Sequence, residues 1–382
     1  MLFLCDKMQN KALHIISFDN PFPPVYGGIV EVFFKLKPLQ ELGIKIYFHC
    51  FVDEVPTKNT ELEAVTEQVF YYKNNKNPLY FFSKLPFSVI SRNNKKLLQN
   101  IRKFDAPILF EGLKPTYWIY NKQLKSSRKI LRLHNIEHDY FNGVSNSESS
   151  FLKKWAFRLE AKKYQKYEPV IAEFDKTITL SKFENQYIND TFGHAVYVPV
   201  FHGNEKVKPL SGVGKYAIYH GDLRMSDNIR VVKMLIEIFK EITDFKLVIA
   251  SNSNQELITK YIGNSENINY VPIENFIHLQ QLLMDAQINL IFSFQRSGTK
   301  LKLMNSLFNS RFCIINENII DDETVTQFCE FANSKKEIAE KINMLKNSPF
   351  TAYEKRRDVL ESQMNDAINA RLLANEIFET WN

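Results

Sequence analysis

Cysteine is scarce in this chain and never closely spaced: Cys5, Cys50, Cys313 and Cys329 are scattered through 382 residues with no Cys-x-x-Cys. That excludes a disulfide framework and a thiolate zinc site, and points to reduced, buried thiols in a cytosolic protein. Long hydrophobic runs are missing too. Leu2-Phe3-Leu4-Cys5 is far too short for the apolar core of a signal peptide, and no later stretch approaches a membrane span. Gly-x-Gly-x-x-Gly is absent, so the dinucleotide fingerprint is excluded. There is no short-period repeat and no low-complexity tract. Acid is nearly absent from one region: between Tyr72 and Arg132, 14 basic residues meet only Asp105 and Glu111.

What the chain has is a globular composition, 45% hydrophobic and 24% charged, with 31 Phe and 17 Tyr to fill cores. Its length suits two domains better than one. The net charge of +6 is uneven. Residues 1–200 carry 28 Lys and Arg against 20 Asp and Glu, whereas the remainder is slightly acidic. The basic block looks for an anionic partner: a membrane surface, a phosphorylated acceptor or nucleic acid.

Apolar β-formers alternate with periodic segments along the whole chain. The pattern predicts strands at 13–18, 45–51, 68–72, 108–111, 129–133, 177–180 and 196–200, with helices at 30–42, 93–103, 116–123, 151–167 and 182–189. After a stretch rich in Gly, Lys and Pro it begins again. Strands are expected at 216–220, 246–250, 268–271, 287–292 and 312–316, and helices at 228–241, 255–261, 277–285 and 300–308. A last helical segment spans 353–378. This is α/β alternation with parallel sheets and crossover helices, twice over, and ligands in such folds bind at the carboxyl ends of the strands.

Four segments after strands carry candidate chemistry. Ser297-Gly298-Thr299-Lys300-Leu301-Lys302 reads as a turn opening a helix, where free N–H groups and two lysines suit a phosphate. A lysine in a first helical turn opposes the helix dipole, so an anionic partner explains Lys300 and Lys302 better than helix stability does. In Pro23-Pro24-Val25-Tyr26-Gly27-Gly28, the paired glycines allow close backbone approach to an anion. Arg132-Leu133-His134-Asn135-Ile136-Glu137 brings polar side chains to a strand end, suited to sugar hydroxyls or proton transfer, with His134 foremost. In the segment from His220 to Asn228, Gly221 permits a tight turn, Asp227 or Asn228 caps a helix, and Arg224 reaches for a phosphate or base.

Taken in order, these segments resemble the retaining GT-B glycosyltransferases of family four over nearly the whole chain. The likeness rests on the Pro-Pro-x-x-Gly-Gly loop, on Leu133 through Glu137, on Arg158-Leu159-Glu160 to Tyr167-Glu168 with Asp175 and Ser181, on Gly221 through Asn228, and on Gly298 through Lys302. It implies GT-B architecture, two Rossmann-like doubly wound domains facing across a cleft. The expected division is 1–200 on the acceptor side, a linker at 201–214, a nucleotide-sugar domain at 215–350, and residues 351–382 crossing back.

By that resemblance the donor site comprises Gly27, Gly28, Gly221, Arg224, Ser297, Gly298, Thr299, Lys300, Lys302 and Asn305, with His134 at the reaction centre. Transfer would retain configuration with no metal and no cofactor, the nucleotide-diphosphate sugar being a substrate. The implied acceptor is a glycan or a lipid-linked glycan, in cell-surface polysaccharide or glycoconjugate synthesis. The expected location is cytoplasmic, either free or at the inner face of the membrane. The basic block, interleaved with Phe81, Phe82, Phe87 and Trp118 and joined by the segment 151–158, suits an anionic membrane. Nucleic acid is not expected, since no recognised module is present. The chain departs from the family where its paired glutamates fall, at Ser297 and Asn305, and where Asp222 and Asp227 replace a basic pair. The alternative reading is therefore a binding or scaffold subunit that has lost turnover.

Overall fold

Strands buried on both faces must be apolar along their whole length, and these are. In Ile108-Leu109-Phe110 and Ala217-Ile218-Tyr219 every residue is buried, because helices cover both sides of each sheet. The computed structural model describes residues 10–24, 27–56, 60–124, 127–148, 150–296, 301–319 and 322–378. Ser297, Gly298, Thr299 and Lys300 lie outside them.

The first sheet contains β1 (Ala12–Ser17), β2 (Lys45–Val52), β3 (Gln68–Lys73), β4 (Ile108–Glu111), β5 (Lys129–Leu133), β6 (Lys176–Thr179) and β7 (Ala195–Tyr197). All are parallel, in the order β3-β2-β1-β4-β5-β6-β7. The second contains β8 (Ala217–His220), β9 (Leu247–Ser251), β10 (Ile268–Pro272), β11 (Ile288–Ile291), β12 (Phe312–Ile315) and β13 (Cys329–Phe331). It is also parallel, in the order β10-β9-β8-β11-β12-β13. The order reverses between β1 and β4 and again between β8 and β11, so each sheet has a switch point where a ligand crevice opens.

The longer helices are α1 (Gly27–Glu41), α2 (Glu137–Ser147), α3 (Phe151–Tyr167), α4 (Lys182–Phe192), α5 (Ser226–Phe239), α6 (Gln255–Ile262), α7 (Phe276–Asp285), α8 (Leu301–Asn309), α9 (Lys335–Leu345), α10 (Tyr353–Gln363) and α11 (Asp366–Phe378). The segment expected as one helix over 353–378 is two. Asn365 breaks it, its side-chain oxygen accepting from the N–H of Ala367 at 2.8 Å. Leu360 of α10 packs with Leu307 and Phe308 of α8, whereas Leu373, Ala374 and Ile377 of α11 complete the core that holds Val32 and Leu36 of α1. The strand expected over 196–200 stops at Tyr197, before Pro199, which has no N–H for the ladder. Helices α2 and α9 and strand β13 were not anticipated. No helix among the described residues is long and apolar enough to cross a membrane.

Candidate functional site

A cavity of about 1060 Å³ lies between the two sheets, lined by loops that leave the carboxyl ends of strands in both. From the first domain come Phe18 and Phe22 after β1, Gly27 and Gly28 in the first turn of α1, Lys114 after β4, and His134 and Glu137 after β5. The second domain contributes His220, Gly221, Asp222 and Arg224 after β8, Asn275 after β10, Ser293 after β11, and Lys302 and Asn305 of α8. Every described residue expected in the site therefore lines one space, including Gly27, Gly28, His134, Gly221, Arg224, Lys302 and Asn305.

Beneath the cavity floor sits a buried ionic network. Glu31 and Lys35, one turn apart on α1, meet Glu111 at the end of β4 and Arg132 of β5, all with no exposed surface. The Lys35 ammonium donates to Glu111 at 2.6 and 2.8 Å and lies 2.8 Å from Glu31. Arg132 donates to Glu31 at 2.9 and 3.1 Å, and to the carbonyls of Val198 and Pro199 at 2.8 and 2.9 Å. Burial alone would raise the Glu31 carboxyl, but the charges of Lys35 and Arg132 outweigh it and hold it at about 2. Two carboxylates and two fixed cations balance, which is what makes so much buried charge tolerable.

Glu31, Glu111 and His134 bring three ligand atoms within 4.8 Å of one another, close enough for a metal. The Lys35 ammonium already sits against both carboxylates, in the place a cation would take, so the cluster fits a fixed ammonium better than an ion. His134 is attached to its upper edge. Its Nε2 lies 2.8 Å from Glu111 Oε2, so Nε2–H donates to the carboxylate and fixes the ring, which meets Phe18 edge-on at 5.6 Å. His134 Nδ1 has no hydrogen-bond partner among the described residues. Neither has Glu137 Oε2, on a residue only 3% exposed. Burial, with the nearby charges of Glu137 and Asp222, pushes the Tyr140 phenol beside it up to about 12.

On the opposite wall, the ammonium of Lys302 donates to the Tyr219 hydroxyl at 3.0 Å and to Asn228 Oδ1 at 2.8 Å. Both partners are neutral. Burial pulls this ammonium down to about 8, although Asp227 and Asp222 favour its charge. Gly221 makes room for it: a Cβ there would lie 2.6 Å from Lys302 Nζ. Arg224 lines the cavity in a folded-back conformation. Its guanidinium folds back onto Asp222, with contacts of 2.8 to 3.1 Å, and its side chain is largely exposed. Asn305 is held from behind by the interdomain linker, its oxygen accepting from Asn204 Nδ2 at 2.8 Å.

No family model matches the chain. The curated relative found is an uncharacterized 44.6 kDa protein in the cps region of Klebsiella pneumoniae, 26% identical over 325 residues, covering 78% of this chain and 81% of that one. Solved structures are far more informative about architecture. A sucrose-phosphate synthase from Thermosynechococcus elongatus superposes with a TM-score of 0.68 at 12% identity, over 97% of this chain and 100% of the other. The pneumococcal O-GlcNAc transferase GtfA, in complex with UDP and GlcNAc, gives 0.62 at 11%, over 97% and 99%. An E. coli trehalose-6-phosphate structure bound with UDP-2-fluoro glucose gives 0.64 at 9%, over 96% and 99%. The fold is GT-B.

In this GT-B cleft, sequence reasoning found the two walls but missed what holds them. In the sequence Glu111 stands as an isolated acid in a basic block. Its position as the one acid ending an otherwise apolar strand is the signal that marks it. Glu31 and Lys35 carry an (i, i+4) ion-pair spacing, but nothing local says that the pair is buried.

Proposed function

We propose that this chain is a retaining glycosyltransferase that moves a sugar from a nucleotide-diphosphate donor to a glycan or lipid-linked acceptor in cell-surface polysaccharide or glycoconjugate synthesis. The observation that carries this is Lys302: a partly desolvated ammonium lining an interdomain cleft, hydrogen-bonded only to neutral groups among the described residues. Such a charge is completed by an anion, and a diphosphate is the anion that becomes more negative as a glycosyl bond breaks. Electrostatic stabilisation of that leaving group is the catalytic term such a site supplies. The first turn of α1, opened by Gly27 and Gly28, offers backbone N–H groups on the facing wall. His134, its ring fixed by Glu111, would contact the reacting sugar through Nδ1, and Glu137 would accept from an acceptor hydroxyl. Relatives in fold bound to UDP, to GlcNAc and to UDP-2-fluoro glucose support the donor class. The cps-region relative supports the polysaccharide setting.

The test is a thermal-shift and calorimetry panel of nucleotide diphosphates and their sugars, followed by donor hydrolysis and transfer assays with whatever binds. Stabilisation by one nucleotide sugar with turnover supports the proposal, because a ligand of the native state alone raises apparent stability. No binding across the panel would sink it. The second reading, a GT-B-like subunit without turnover, is favoured by Ser297 and Asn305 standing where the resembled family has glutamates, and by the engagement of the Asn305 oxygen with Asn204. Tight nucleotide-sugar binding with neither hydrolysis nor transfer would select it.

A further inference from the structure

Five bulky apolar side chains stand in solvent on one face of the first domain. Leu79 and Phe82 are 70% and 83% exposed on the short 3-10 helix Pro78–Phe82; Phe151, Leu152 and Trp155 are 80%, 77% and 54% exposed in the first turns of α3. The two elements are packed side by side. The Phe81 ring lies 6.1 Å from Trp155, Lys163 of α3 donates to the Phe81 carbonyl at 2.8 Å, and Phe87 N–H donates to Glu160 at 2.9 Å. Single exposed apolar residues are ordinary, but five on adjoining elements form a patch that water disfavours.

The charge around the patch says what covers it. Lys73, Lys76, Lys84, Lys153 and Arg158 are exposed on the same two elements and their flanks. Of the acids near it, Asp53 pairs with Lys76, Glu160 with Lys163, and Glu148, three residues before Phe151, accepts from the Ser150 N–H at 2.9 Å, while Glu67 is exposed. We propose that this face, the 3-10 helix and the start of α3, seats on an anionic lipid bilayer, with the rings and leucines in the interface and the lysines at the headgroups. A second copy of the chain is a poorer occupant, since it would set the same cations against themselves. Of the aromatics interleaved with the basic block, Phe82 is exposed. Phe81 and Phe87 are half-buried, and Trp118 is buried with its indole N–H donating to the Asn94 carbonyl at 3.1 Å, so it takes no part.

The patch has a fixed relation to the cleft. Helix α2 starts at Glu137 on the cavity wall and runs for eleven residues, about 16 Å at 1.5 Å per residue, to the chain turn from which α3 and its apolar residues begin. A bilayer seated there brings the membrane surface within one short helix of the cleft.

The contact is independent of turnover and is tested without it. The full chain is sedimented with vesicles of neutral phosphatidylcholine and with vesicles containing about three parts in ten phosphatidylglycerol, at low and high salt. Expected is pelleting at least about tenfold greater with the anionic vesicles, fading as salt rises. The triple variant Phe82→Ser, Leu152→Ser, Trp155→Ser should lose that pelleting while keeping the wild-type circular dichroism spectrum and thermal transition. Equal pelleting with neutral and anionic vesicles would overturn the proposal, as would a triple variant that pellets like wild type. So would a wild-type dimer that the same three substitutions dissociate, because the patch would then be covered by a second copy.

Discussion

At the scale of single residues, the consequential position is Lys302. A bound diphosphate favours its charged form, whereas burial disfavours it in the free protein and brings it to about 8. Binding of UDP or another nucleoside diphosphate at pH 8 to 9 should therefore take up a proton. Calorimetry in two buffers of different ionisation enthalpy reads that uptake directly, and at pH 6.5, where the ammonium is already charged, the uptake should vanish. Lys302→Ala should weaken the same binding by roughly 1.5–3 kcal/mol, the value of a charge-assisted hydrogen bond. Gly221→Ala offers a milder variant, because the atom it displaces is the tip of a flexible side chain. It should lower nucleotide affinity while leaving the thermal transition near wild type. On the facing wall, His134→Ala should reduce transfer by about 1–3 kcal/mol and leave nucleotide binding nearly unchanged. An equal loss in both would move His134 from the reacting sugar to the nucleotide.

At the scale of elements, α1 is locked to β4 and β5 by charge in the interior. Arg132→Met would leave Glu31 with a single cation and should cost about 3–5 kcal/mol in a urea titration, the usual result of orphaning one member of a buried ion network. The pH dependence has a definite sign. Glu31 is held at about 2 in the folded chain against 4.5 for an unperturbed glutamate, so its contribution is present above pH 4.5 and is lost as pH falls towards 2. Arg132→Met should flatten that acid limb. These elements also show what a single sequence discloses. Strands β4 and β5 were legible to the residue, because an apolar run between turn residues has few alternatives. Helix α2 was not, since Glu137–Ser147 buries only Glu137, Val144 and Ser145 and so presents no apolar stripe. Strand β13 was missed because three edge residues, two half-buried and one exposed, carry almost no pattern. His134 and Lys302 stood out by their places after strands. The Glu111 that orients His134 and the Asn204 that holds Asn305 act across long sequence separations, which periodicity does not register.

At the scale of the whole molecule, the two domains are joined by paired crossings. The outgoing linker and the returning helix touch where the Asp366 carboxylate accepts from the N–H groups of His202 and Gly203, at 3.1 and 2.7 Å, and His202 Nε2–H donates to the Met364 carbonyl at 2.9 Å. Elsewhere between the domains, Lys182 of α4 pairs with Asp322 at 2.9 Å, the Tyr197 hydroxyl donates to Asp322 at 3.2 Å, and the Arg296 guanidinium lies 5.8 Å from the Phe183 ring. Gly203 sits at this crossing with φ of +74°, and a Cβ there would lie 2.4 Å from the Phe34 ring, which in turn meets Phe276 of the second domain at 5.4 Å. Gly203→Ala should thus destabilise by two routes, left-handed backbone strain and collision. Adding Phe34→Ala should remove the collision but not the strain, a non-additivity that a double-mutant cycle measures.

The return of α11 has a consequence for how the protein is made. Its Leu373, Ala374 and Ile377 close the apolar face of the first domain, which otherwise consists of residues synthesised far earlier. The ribosome releases that first domain with Val32 and Leu36 uncovered and then builds the entire second domain before the covering helix exists. At about 5–20 residues per second this interval is on the order of ten to thirty seconds. For that time the nascent chain carries an open hydrophobic surface beside a finished parallel sheet, so the first domain to emerge is the last to be sealed.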